Sequence, residues 1–230
     1  MSYQLFIFDF DGTLANTREA VLKSMSTTLG ELLGDKETIT REQIEAVVAT
    51  GPTLPDTFSL LLADKLPEAE RKVDHAVARY RAIYAEHANE WTTLYPGVAH
   101  FLNAAHSKEI ALTVVSNKGE LALHASLNAL GIADYFTLIL GEQEDLRPKP
   151  APDVFDRRIA PAFKDIPRSE MLFVGDTPAD LAFAKTVGID ACWAAYGHGD
   201  RKACLLLDPV CVIDGFDHLA MFVGLEDSTA

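Results

Sequence analysis

Leu5-Phe6-Ile7-Phe8-Asp9-Phe10-Asp11-Gly12-Thr13 is the stretch on which the reading of this 230-residue chain turns. Four apolar residues in a row, with no polar alternation, predict a strand buried on both faces, and the abrupt change at Asp9 marks where it leaves the interior. Working outward, similar apolar runs recur at 110–115, 138–140, 171–174, 191–194 and 210–213. Between them lie helical patterns at 121–130, ended by Gly131, at 152–163, and at 178–187, ended by Gly188. Proline near a helix start and glycine after its end is the usual asymmetry of helix termini. Strand alternating with helix predicts an α/β fold, a Rossmann-like parallel sheet with helices on both faces.

The stretch 15–94 breaks this rhythm. It carries helical patterns at 18–33 and 41–48, a turn-rich Gly51-Pro52-Thr53-Leu54-Pro55, and a charged amphipathic run at 68–91, with no strand candidate of comparable quality. The expected organisation is therefore an α/β core from 1–14 and 95–230, interrupted by an all-helical insertion at 15–94, with Tyr95-Pro96-Gly97 as the return. The last residues, 226–230, are expected to fray.

Composition narrows the function. A net charge of −14 argues against a general nucleic-acid or anionic-membrane surface, because either needs a basic face. Any anionic substrate must then be attracted locally. The three cysteines, Cys192, Cys204 and Cys211, lack C-x-x-C spacing, so a reducing cytoplasm fits better than a disulfide framework. The opening MSYQLFIFDFDG has no basic region before its apolar run, so a secretory signal is not expected, and no stretch approaches the ~18 apolar residues of a membrane span.

In open parallel sheets ligands bind beyond the carboxyl ends of the strands. Those ends are polar here: Asp9 to Thr13 after the first run, Ser116-Asn117-Lys118 after the second, and Gly175-Asp176-Thr177-Pro178-Ala179-Asp180 after the fourth. Arg147-Pro148-Lys149-Pro150 precedes the helical pattern at 152–163. Carboxylates at Asp9, Asp11, Asp176 and Asp180 gathered on one rim would need a cation, and hard oxygen donors point to Mg²⁺. Mg²⁺ and Lys149 would together attract a phosphoryl group, outlining a site where a carboxylate attacks phosphorus while cations neutralise its oxygens. Each residue also has a plainer use. Strand-end aspartates and Ser116 can cap helices, Asp180 can be an ordinary first-turn residue, and lysine is most often at the surface.

DFDGT, SN, an isolated lysine before proline, and GDTPAD, in this order over 5–180, resemble the haloacid dehalogenase-like hydrolase superfamily. The insertion matches the small helical cap of that superfamily in position and size. The resemblance implies Asp9 as a nucleophile forming an aspartyl-phosphate and Asp11 as general acid and base, its backbone carbonyl joining the metal shell. It implies Asp9 and Asp176 as further Mg²⁺ ligands, with Asp180 just behind them near Lys149. Gly12, Thr13, Ser116 and the backbone of Asn117 would hold phosphoryl oxygens, with Lys149 bridging phosphate and Asp9.

An aspartate at the position of Asp11 favours phosphate esters over carbon–halogen bonds, because only the ester's leaving group needs a proton. DFDGTLANT, SNKGE, RPKPAPD and VGDTPAD look most like the phosphoglycolate phosphatase group, implying hydrolysis of a small phosphorylated metabolite by a monomer or homodimer. A phosphosugar mutase is the alternative, but the cap-hinge histidine of that group would fall at Val21. A non-catalytic phosphate sensor is a third reading, disfavoured by the intact Asp9 and Asp11 pair. Lys23 and Lys36 are candidates for the Schiff-base lysine of phosphonate-cleaving relatives only by their nearness to the insertion. Two departures stand out: Asn16 replaces a commoner acidic residue, and Thr50-Gly51-Pro52-Thr53-Leu54 has no arginine to grip a substrate carboxylate. The histidines show no zinc spacing, and His198, between two glycines, is expected in a loop at the site's periphery.

Overall fold

The apolar run that opens the chain is a strand, β1 (Leu5–Phe8), with all four side chains buried. A two-residue strand, β2 (Ala15–Asn16), leads into α1 (Arg18–Leu33), α2 (Arg41–Val48), α3 (Leu54–Leu62) and α4 (Glu70–Trp91). The chain returns through β3 (Thr93–Leu94), antiparallel to β2. Then follow α5 (Val98–Ser107), β4 (Ala111–Gly119), α6 (Glu120–Ala129), β5 (Leu138–Glu142), and a π turn, Phe155–Ile159, running into α7 (Ala160–Ala162). The remainder is β6 (Met171–Gly175), α8 (Pro178–Val187), β7 (Asp190–Ala194), α9 (Arg201–Leu205), β8 (Cys211–Ile213) and α10 (Phe216–Val223). The structure, a computed structural model, describes residues 3–34, 38–63, 65 and 70–225, so the tail at 226–230 and Lys36 lie outside the described residues.

The six long-range strands form one parallel sheet in the order β5-β4-β1-β6-β7-β8. Successive side chains of a strand face opposite ways, and β1 uses both faces. Phe6 and Phe8 pack with Phe101 of α5, Leu123 of α6 and Phe216 of α10, while Leu5 and Ile7 pack with Phe155 and with Phe183 of α8. Unbroken burial explains why β1 lacks alternation. After the helices the chain adds β4 and β5 on one side of β1, then crosses to β6, β7 and β8 on the other. The strand order thus reverses at β1, and the carboxyl end of β1 is where open parallel sheets of this kind place their ligands.

The helices α1 to α4 carry an apolar cluster of their own, including Met25, Leu29, Ile44, Phe58 and Tyr80. Lys23 of α1 lies over the Trp91 ring at 4.6 Å. Among the described residues no helix is long and apolar enough to cross a membrane.

Several sequence expectations are corrected here. The stretch 15–94 is not entirely helical, because β2 and β3 pair across its two ends. Leu54 and Pro55 are not turn residues but open α3, where the Thr53 hydroxyl accepts from Asp56 N and proline occupies an early position that needs no N–H donor. The helix expected at 152–163 is present over 153–162, but it is not regular: a π turn at Phe155–Ile159 interrupts it before α7. β4 runs four residues past Val115 to Gly119, and β8 begins at Cys211, not at Val210. The patterns at 18–33, 41–48 and 178–187 match α1, α2 and α8.

Candidate active site

Asp9 is the first residue beyond β1, and its N–H still donates to the Val174 carbonyl at 2.9 Å, so the sheet fixes its backbone. Lys149 reaches it from a loop 140 residues later, its Nζ donating to Asp9 Oδ1 at 2.7 Å, Asp180 Oδ1 at 2.6 Å and the Val115 carbonyl at 2.8 Å. All three side chains are buried. Asp180 is held from below by a capping box at the start of α8: its Oδ2 accepts from Thr177 N at 2.9 Å and Thr177 Oγ1 at 2.7 Å. The same carboxylate therefore caps a helix and pairs with a buried ammonium.

Asp176, at the end of β6, is fully buried. Its Oδ2 accepts from the His198 backbone N–H at 2.6 Å and its Oδ1 from Thr13 Oγ1 at 3.3 Å, while its carbonyl accepts from Trp193 Nε1 at 2.8 Å. Gly12 has φ +85°, and a Cβ there would run into the Asp176 carboxylate and the His198 ring. Only glycine fits both the turn and that close approach.

The phosphate-binding candidates divide. Ser116, one residue past Val115 in β4, is buried, and its Oγ accepts from Lys118 N at 3.2 Å. The Asn117 side chain clasps the Lys149 peptide, donating Nδ2 to its carbonyl at 3.1 Å and accepting its N–H at 2.9 Å. Nothing in the sequence indicates this contact, which aims Lys149 from β4. Asp11 does not join Asp9, Asp176 and Asp180; its Oδ1 accepts from Lys118 Nζ at 3.1 Å. Lys118, quoted in its motif but given no role, is the residue that sequence reasoning passed over. Its only local signal was its place directly after Ser116-Asn117.

One carboxylate oxygen from each of Asp9, Asp176 and Asp180 can be chosen so that all lie within 4.8 Å of one another. Three buried carboxylates face the one ammonium of Lys149, leaving an excess of negative charge. Burial pushes Asp9 up to about 7, although Lys149 pulls the other way, and Asp180 adds to the rise. Asp176 is driven well above the carboxylate range by burial and by Asp180 and Asp9. An all-oxygen, buried, over-negative set fits a hard divalent cation. Burial opposes the charge of Lys149, but Asp180 and Asp9 outweigh it and hold the ammonium above its ordinary range.

The helices meet this rim at several points. The Asp200 N–H donates to the Ala49 carbonyl at 3.1 Å, and Arg81 of α4 pairs with Glu142 at 2.6 Å. Gly51, at φ +76°, lies directly against the Thr177 side chain. His198 is closer in than a peripheral loop residue: it lines a small cavity with Arg18, Val21, Leu22, Glu45 and Val48, and its Nε2 is buried without a hydrogen-bond partner among the described residues. Burial holds its imidazole below the usual histidine range.

Residues 6–194 match a family described as haloacid dehalogenase-like hydrolase. The phosphoglycolate phosphatase of Salmonella typhimurium is 28% identical over 235 residues, spanning 96% of this chain and 92% of its own. A Dickeya dadantii protein named "Probable phosphatase IndB" is 30% identical over 217 residues, spanning 94% and 91%. A haloacid dehalogenase-like family hydrolase from Streptococcus pneumoniae shares the fold with TM-score 0.79 at 22% identity, over 96% of this chain and 98% of that one.

Proposed function

The chain belongs to the haloacid dehalogenase-like hydrolase family, and on that premise we propose that it is a Mg²⁺-dependent phosphatase of a small phosphorylated metabolite, 2-phosphoglycolate being the leading candidate. The observation that carries the reading is the buried set of Asp9, Lys149, Asp176 and Asp180 with Asp11 beside it. Asp9 and Asp176 would hold the cation, with the Asp11 carbonyl as a third ligand and Asp180 supporting Lys149. When bound, Mg²⁺ would supply charge that keeps these carboxylates ionised and offsets the phosphoryl oxygens.

Lys149 holds Oδ1 of Asp9, which orients the other oxygen of that carboxylate toward phosphorus. That oxygen attacks, the ester P–O bond breaks, and Asp11 delivers its proton to the departing alkoxide. Asp11 then takes a proton from water as the water attacks phosphorus, the Asp9–phosphorus bond breaks, and inorganic phosphate is released. Ser116, the Asn117 backbone, Gly12 and Thr13 would bind phosphoryl oxygens in a fixed frame, so that little reorganisation accompanies the charge shift. We read 15–94 as a cap on a core made of 1–14 and 95–230; closing on the rim, it would exclude water and select the leaving group.

Phosphate release from a panel of esters tests this: phosphoglycolate, sugar phosphates, nucleoside monophosphates and pyrophosphate, each with Mg²⁺ or EDTA, and with Asp9→Asn as control. One favoured ester, a need for Mg²⁺ and a dead variant are expected. Interconversion of sugar phosphates through a bisphosphate, with little phosphate released, would point instead to a mutase. Binding of phosphoryl analogues with no release from any ester would remove the catalytic reading.

A further inference from the structure

The rim holds two buried ammonium groups, and they are placed differently. Lys149 is enclosed by Asp9, Asp180 and the Val115 carbonyl. Lys118, two residues beyond Ser116 on β4, faces Asp11, 3.1 Å from Oδ1 and 3.5 Å from Oδ2. Its side chain is only 9% exposed. The ring of Tyr84, brought in by α4, covers the ammonium with its centroid 3.9 Å away, and Phe10 lies at 5.7 Å. A cation between a carboxyl group and two aromatic faces is poorly hydrated, and with Asp11 protonated, as its role as general acid requires, the ammonium is left to pair with a further anion.

We propose that Lys118 is the specificity cation of the leaving-group side: it pairs with a carboxylate on the alcohol of the substrate, selecting phosphate esters of small hydroxy acids. The inference rests on the phosphatase reading and deepens it. If Asp11 protonates the departing oxygen, that oxygen must lie beside Asp11. Whatever the alcohol carries one carbon away then comes within reach of the group already touching Asp11, which is Lys118. The Tyr84 ring lies over the ammonium, so a bulky alcohol seated there would meet the aromatic face where a short one would not. The arrangement also accounts for a loop at 50–54 without arginine: the positive charge comes from the core, not from the insertion. Arg18 is the competing cation; like Lys118 it is paired with a carboxylate, Glu45 at 3.2 Å, but its side chain is 46% exposed and hydrated where that of Lys118 is buried.

Two esters of similar size separate the possibilities: 2-phosphoglycolate and 2-hydroxyethyl phosphate, which differ in the carboxylate. Steady-state kinetics with Mg²⁺ would be measured for the wild type, Lys118→Met, which keeps the apolar stem under Tyr84, Lys118→Arg and Arg18→Met. The wild type is expected to favour the carboxylated ester. Lys118→Met should lower that preference by roughly tenfold to a hundredfold, chiefly through KM for phosphoglycolate, with Lys118→Arg restoring part of it. Calorimetric binding of both esters to Asp9→Asn, with and without Lys118→Met, should show the same selective loss without turnover. Equal losses on both esters would mean that Lys118 only positions Asp11, and a selective loss in Arg18→Met would move the assignment to that residue; either overturns the proposal. A wild type that hydrolyses other esters without favouring the carboxylated one also overturns it while leaving the phosphatase reading intact. Absence of phosphate release from every ester would instead defeat that reading.

Discussion

The rim of the sheet and the helices inserted above it use charge in opposite ways. At the rim Asp9, Asp176, Asp180 and Lys149 are buried and held to one another or to fixed backbone groups. On the helices Arg41 bonds Glu19 and Glu45, and Arg79 bonds Glu31, with side chains that remain in contact with solvent. Buried ions are costly unless every partner is in place, whereas exposed pairs contribute little. The difference teaches where charge is tied to chemistry. On the phosphatase reading, the rim tolerates an unfavourable electrostatic load because the reaction proposed for it needs that load, while the insertion folds on its apolar cluster around Phe58 and Tyr80 and uses charge for solvation.

The largest expected effect lies at the rim. Asp9→Asn keeps the shape of the side chain and removes the attacking oxygen's charge, so turnover should fall by about 10⁴-fold or more. The far-ultraviolet circular dichroism and the unfolding midpoint should stay near those of the wild type, since Lys149 retains Asp180 and the Val115 carbonyl. A comparable residual rate in a folded variant would sink the nucleophile assignment.

Next is Lys149→Met, which leaves Asp9 and Asp180 facing each other without their cation. Breaking one partner from a buried ionic group costs about 3–5 kcal/mol, read as a lower denaturant midpoint. Millimolar Mg²⁺ should recover more stability in this variant than in the wild type, because it replaces the missing positive charge. If the variant unfolds at the wild-type midpoint, the rim is less tightly coupled than its geometry implies.

These assignments were legible in the sequence to unequal depth, for physical reasons. β1 and α8 could be read because each carries its own signal: an unbroken apolar run, and proline at the start with Gly188 at the end. The capping relation of Thr177 and Asp180 is local as well. Lys118 and Asp11 are 107 residues apart, and nothing between them indicates that β4 and β1 bring the two together. The Asn117 clasp on Lys149 is long-range in the same way. β2 and β3 have two residues each, too few for any periodicity, and only pairing makes them strands. In α3, Pro55 reads as a turn until Thr53 is seen capping the helix it opens.

The pH dependence sharpens the comparison further, because the exposed glutamates of the insertion are held below their usual range by their arginines, whereas Asp9 at the rim shifts the other way. Asp9 is raised by burial to about 7, against an ordinary 3.8. A carboxyl raised on folding adds stability that is complete below its unfolded value and is lost as pH rises through the folded one. Without a divalent cation, the protein should therefore lose stability between about pH 4 and 7. Cation binding runs the other way, since it requires the ionised group and displaces its proton. Mg²⁺ affinity should rise by about tenfold per pH unit up to about 7 and level off above it. Thermal unfolding with Mg²⁺ and with EDTA, near pH 5 and near pH 8, checks this; a stabilisation by Mg²⁺ equal at both would contradict it.

The smallest expected effect tests the other half of the comparison. Arg79 of α4 makes two bonds to Glu31 of α1, at 2.6 Å and 2.7 Å, a geometry as good as any at the rim. If bond length alone measured importance, Arg79→Ala would rank with Lys149→Met. The difference is water: both partners stay solvated with or without the pair, so losing it strands no charge in the interior. The glutamate, held below its usual range by the arginine, merely returns toward it. The variant should keep its unfolding midpoint within experimental error, its turnover, and its preference between the two esters. A clear loss of stability would show that the insertion depends on its surface charges after all, and the contrast between the two regions would reduce to one of position.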